Sequence, residues 1–206
     1  MSRLWPSLTA AAVGSAALAC VGLTAPAGAV ALVDGQSLTV TSGGISATFT
    51  VAGCTLDAAV CGSSTGQLVQ DPGKLGVLIE SASGGNLANS PDDLTFGLNV
   101  TSTSLISGLT LGMTGAGAFT SVGEEFDNGA PSLSVSPGGV LTDTTVFPTP
   151  TTTFTGTKDI QPLSLFGETA YVTTVTQDLV VPEPASTGLL AVGVGLLALL
   201  RRRRTA

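Results

Sequence analysis

The residues with which this chain could do chemistry are two acid clusters and two lysines. Asp92-Asp93 and Glu124-Glu125-Phe126-Asp127-Asn128-Gly129 gather carboxylates beside turn-forming residues. Glu124, Glu125 and Asp127 supply the oxygen donors that Ca²⁺ takes, but without the alternating spacing and terminal Glu of a calcium loop. Both clusters are therefore expected to be solvated turn carboxylates, with a Ca²⁺ site as the weaker reading. A glycosidase needs two carboxylates facing each other across a cleft, and no spacing here singles out a pair. Ser–Lys catalysis would have to draw on Lys74 or Lys158. Lys74 follows Asp71-Pro72-Gly73, a turn in which a desolvated amine is not expected. Histidine is absent from all 206 residues. Its absence removes the commonest general base, the usual zinc ligand and every Ser-His-Asp or Cys-His arrangement. No catalytic residue is nominated, and the expectation is a protein that is not an enzyme.

Cys54 and Cys61 enclose Thr55 to Val60. They lack the C-x-x-C spacing of a redox pair and any further ligand for a metal site. The expectation is a structural disulfide, contributing roughly 2–3 kcal/mol in the chain-entropy estimate.

The elements that must carry these residues read as strands. Ser37 to Thr41 alternates, and so does Ile45 to Val51, with Ile45, Ala47, Phe49 and Val51 on one face. Gly43-Gly44 between them signals a hairpin. Further strands are predicted at Gly76 to Ser81, Leu94 to Thr101 (with the Asn99 sequon), Leu105 to Met113, Ser132 to Ser136 and Tyr171 to Val181. Turn chemistry separates them at Gly84-Gly85-Asn86, Ser90-Pro91-Asp92, Asp127-Asn128-Gly129 and Pro137-Gly138-Gly139. Leu141 to Thr157 holds nine threonines with Pro148 and Pro150. It reads as an edge strand or a long loop, because Pro is excluded from central strands, with O-glycosylation as the sharper alternative. The fold class expected is all-β, an antiparallel β-sandwich of seven to nine strands. Aromatic residues are scarce, and Trp is absent after Trp5, which gives thin support for a stacked sugar-binding platform.

Both ends read as topogenic. Arg3, the apolar stretch Leu8 to Leu23 and Ala27-Gly28-Ala29 form a secretory signal peptide with cleavage after Ala29. This site is preferred over lipidation at Cys20. At the other end stand Val181-Pro182-Glu183-Pro184-Ala185-Ser186, an apolar run to Leu200, and Arg201-Arg202-Arg203-Arg204. The sixteen residues from Ala185 to Leu200 would rise roughly 24 Å as a helix. That is short of the roughly 30 Å hydrocarbon core, a gap the arginines can narrow by snorkelling. Arginine clusters remain cytoplasmic, so the residues before Pro182 are expected outside. Pro182 and Pro184 stiffen an extended stretch that a protease cleft can read.

Hinge, apolar span and basic stop, in that order, resemble the PEP-CTERM tail of bacterial exported proteins. The resemblance covers about the last 26 residues. It implies that Pro182, Glu183 and Pro184 are recognised by an exosortase-type membrane protease, with Arg201 to Arg204 as the membrane stop. It also implies a Gram-negative setting of exopolysaccharide and biofilm matrix.

The expected organisation is a signal peptide over 1–29, an ectodomain over 30–180 and a sorting tail over 181–206. The mature region before the tail carries thirteen acids against Lys74 and Lys158, a net charge of about −11. Nucleic acid is excluded as a partner, since such a surface repels phosphate. The partners expected are the secretion machinery, signal peptidase, an exosortase and exopolysaccharide. The alternatives are a calcium- or glycan-binding module and, behind it, a carboxylate-dependent hydrolase.

Overall fold

Glycine pairs turn these strands, and alternation of Thr or Ser with Leu, Val and Phe gives them an inside. The computed structural model describes residues 28–165 and 167–182. The expected signal sequence up to Ala27, Glu183, Pro184, the expected membrane helix over 185–200 and Arg201 to Arg204 lie outside the described residues.

Twelve strands occur among the described residues. They are β1 (Val30–Ala31), β2 (Ser37–Ser42), β3 (Ile45–Leu56), β4 (Ala59–Val60), β5 (Gln67–Gln70) and β6 (Gly76–Glu80). After them come β7 (Ala88–Asn89), β8 (Leu94–Ala116), β9 (Ser121–Phe126), β10 (Leu133–Val135), β11 (Thr142–Gln161) and β12 (Tyr171–Val180). The expected β2–β3 hairpin forms in register from Ser42↔Ile45 to Ser37↔Thr50. Gly43 and Gly44 have φ of 59° and 80°. This is the left-handed pair whose twist matches the flanking strands.

Hydrogen bonding joins the strands into one antiparallel sheet in the order β1-β5-β6-β12-β8-β11-β9-β10, with β2 and β4 added through β3, and β7 on β12. Two long strands hold it together. The first part of β8, Leu94 to Ser102, lies between β3 and the later part of β11. The second part of β8, from Gly108, lies between β12 and the beginning of β11. Where the strands pass from one half to the other, the inward phase changes. In β8 the buried set is Leu94, Phe96, Leu98, Val100 and Ile106, then Leu109, Leu111 and Met113. In β11 Thr145 and Phe147 give way to Phe154 and Ile160. Inward residues of both halves form one core cluster.

The all-β, antiparallel expectation is met, and several details are corrected. The predicted strands at 94–101 and 105–113 are one strand of 23 residues, because Ser102-Thr103-Ser104 contains no Gly, Pro, Asn or Asp, the stronger turn formers, to end it. The threonine-rich segment is neither a loop nor an edge throughout. Its second part pairs with β8 on one side and β9 on the other. The prolines are accommodated because Pro148 and Pro150 fall where the register slips between Val146 and Thr151. The number of strands exceeds expectation because three two-residue strands, β5 and β9 carried too little alternation to be read.

Candidate functional site

The predicted disulfide is present. Cys54 and Cys61 are bonded, with Cα atoms 5.4 Å apart, and together they staple the β3–β4 hairpin. At its tip Asp57 and Ala58 have φ of 50° and 63°. Asp57 is tied to Asp93, accepting from its backbone N–H at 2.9 Å through Oδ1.

The outer face of β2, β3, β8 and β11 is a field of hydroxyls. Register places Ser37, Thr50, Asn99 and Thr155 in one row and Thr39, Thr48, Thr101 and Thr153 in the next. Neighbours bond along the rows: Ser37 to Thr50 at 2.8 Å, Thr39 to Thr48 at 2.9 Å, and Thr155 Oγ1 to Asn99 Oδ1 at 2.9 Å. A third row continues with Thr41 and Ser46 at 3.1 Å, and Thr103 Oγ1 accepts from the Ser46 N–H. Asn99 thus lies on a strand as one member of this array. The alternation that buries Leu38, Val40, Phe49 and Val100 necessarily sends these hydroxyls outward.

The predicted acid cluster is divided by the same alternation. Glu124 does not lie in a solvated turn; it is on β9 and points into the core, 1 % exposed. Glu125 faces the opposite way. Asp127 caps the Thr155 N–H at 2.9 Å. The three proposed calcium donors therefore do not converge. The carboxylate that does have acidic neighbours is Asp159, beside Asp93 and, with weaker effect, Glu125. Asp159 is held above the usual carboxylate range by partial burial, then by Asp93 and more weakly by Glu125, against the opposing Gln161 hydrogen bond. Among the described residues no group of three potential ligands is arranged to hold a metal ion. A cavity of about 400 Å³ opens at this place, lined by Thr95, Gly123, Glu124, Glu125, Ser132, Leu133, Thr157 and Asp159.

The sequence offered no signal for the partner of Glu124. Lys158 is 0 % exposed and pairs across the β9–β11 ladder with Glu124. Its Nζ stands 2.5 Å from Oε1. Burial pushes the Lys158 ammonium down, and burial pushes the Glu124 carboxyl up; in each case the partner's charge opposes the shift. Gly156 makes the space, since a Cβ there would collide with Glu124 Oε1. Lys74, by contrast, is at the surface between Asp178 at 2.5 Å and Asp71 at 3.2 Å. The carboxylates raise its pKa, Asp178 foremost.

β12 ends at Val180, and the chain emerges through Val181 to an exposed Pro182. The sequence that begins there is of the sorting-signal class. Residues 180–204 match the family model of the PEP-CTERM protein-sorting motif. The motif implies export, processing at a membrane and, in general, an exosortase as the processing enzyme. No curated protein and no solved structure is significantly similar to the chain.

Proposed function

We propose that this protein is a non-enzymatic component of the cell surface or extracellular matrix. It is exported by its signal peptide, held by the membrane helix 185–200, and cleaved near Pro182-Glu183-Pro184. The match of residues 180–204 to the sorting motif carries this reading. Its body is a β-sandwich made by folding one sheet over a shared core at β8 and β11, and it associates with exopolysaccharide. The hydroxyl rows of β2, β3, β8 and β11 are the surface offered to that polymer. Each Ser or Thr hydroxyl both donates and accepts, so a neutral, flat array suits sugar hydroxyls without aromatic stacking. The charge of about −11 before the tail disfavours polyanions.

The test is to follow the tail in the native host. The wild-type protein should be recovered outside the cell without residues beyond the Pro-Glu-Pro stretch. The variant Pro182→Ala/Glu183→Ala should keep them and remain with the membranes. Identical processing of both proteins, or a wild-type protein that keeps its tail, rejects the proposal.

A second reading, a calcium-binding module, draws on Glu125 and Asp159 at the cavity. Millimolar calcium should then raise the melting temperature of the mature protein, and unchanged melting removes this reading.

A further inference from the structure

Neither sorting nor surface recognition uses the Glu124–Lys158 contact, which holds an amine directly against a carboxyl group in the core. Nζ lies 2.5 Å from Oε1, and neither side chain reaches solvent. Among the described residues no other hydrogen-bond partner serves Glu124 Oε1, Glu124 Oε2 or Lys158 Nζ. The backbone fixes the approach, because Lys158 is paired with Glu124 on one side and with Phe96 on the other.

We propose that Glu124 and Lys158 condense to an intramolecular amide that cross-links β9 to β11 through the core. The lone pair of the Lys158 nitrogen attacks Cδ of Glu124. One C–N bond forms and one C–O bond breaks. The hydroxyl of the acid departs as water, taking a proton that the nitrogen loses. No oxidant or co-reactant is required.

Three features favour the step. Burial pushes the Lys158 ammonium down and the Glu124 carboxyl up, which favours the free amine and the neutral acid, the forms that react. Adjacent strands hold the two groups at an effective concentration that can reach about 10⁵ M or more for well-oriented partners. The cavity bordered by Gly123, Glu124 and Asp159 receives the water released. Condensation also removes two ionisable groups that the core leaves without further partners, a costly arrangement in a dry interior.

The test uses the full-length protein, expressed with its own export signal, then reduced, denatured and mapped by trypsin and mass spectrometry. Lys74 and Lys158 are the only lysines, and no arginine lies between Arg3 and Arg201. Cleavage should occur after Lys74 and fail after Lys158. The peptide beginning at Leu75 should be lighter by one water, with the link located between Glu124 and Lys158 by fragmentation. Glu124→Ala should restore cleavage after Lys158. The double variant Glu124→Leu/Lys158→Met, which replaces the pair by apolar side chains of similar length, should have its full sequence mass. Cleavage of the wild-type chain after Lys158 at full mass overturns the proposal. So does a water lost elsewhere with Lys158 still cleavable. The wild-type reading is made on denatured chain and needs no variant to fold.

Discussion

At the scale of single residues, Glu124 and Gly156 act as one unit. A carboxylate can enter the sheet interior only because the residue diagonal to it lacks a Cβ. Ala58 is the opposite case, a residue in a conformation it does not favour. Its φ of 63° places a Cβ against the following carbonyl, a strain of roughly 1–2 kcal/mol for L-residues. The disulfide and the bonds between Asp57 and Asp93 hold the turn in place. Ala58→Gly is therefore expected to stabilise the protein. The gain should be up to about 1 kcal/mol, after the greater unfolded-state freedom of glycine is subtracted. Thermal denaturation under non-reducing conditions measures it, and a lower melting temperature would show that the turn is not strained.

At the scale of elements, β8 and β11 decide the architecture. Each contributes its inward side chains in two phases, and the change of phase transfers it from one half of the sheet to the other. The transfer in β11 is bracketed by Phe147 and Phe154, whose ring centroids are 5.0 Å apart in an edge-to-face contact. Phe126 of β9 closes the group at 5.8 and 6.0 Å. Edge-to-face rings add about 0.5–1.5 kcal/mol beyond the area they bury. Phe147→Ala is thus expected to cost about 3–5 kcal/mol. Val146→Ala, next to it but 73 % exposed, should cost less than about 0.5 kcal/mol. Chemical denaturation of both variants checks the contrast, and equal losses would show that the aromatic group does not secure the crossover.

At the scale of the whole molecule, an acidic surface meets a nearly charge-free interior. Asp159 stands at the boundary, partly buried and close to Asp93 and Glu125, and its folded pKa is raised above 3.8. The folded state then binds this proton more readily than the unfolded state. Its stabilising contribution is complete below pH 3.8 and is lost as pH rises through the folded pKa. Asp159→Asn should accordingly match the wild type in acid and exceed it at neutral pH. The difference should be at most about 1 kcal/mol, because the carboxyl remains largely solvent-screened. Melting temperatures of the two proteins from pH 3 to 7 test the sign. A variant less stable at neutral pH would place a favourable partner beside the ionised form.

The sequence by itself determined what local chemistry controls. Alternation and the paired glycines 43 and 44 set the strands and the first hairpin. The spacing of Cys54 and Cys61 set the staple. The order of Pro-Glu-Pro, apolar run and arginines set the sorting signal, which is linear and needs no fold to be read. Tertiary structure alone decided which strands are neighbours, since the period of two says which face is inward and nothing about the partner. That is why Glu124 and Lys158, 34 positions apart, gave no sign of their contact. It is also why Glu124, Glu125 and Asp127, close in sequence, were read as one cluster although the pleat sends the first two to opposite faces of the sheet.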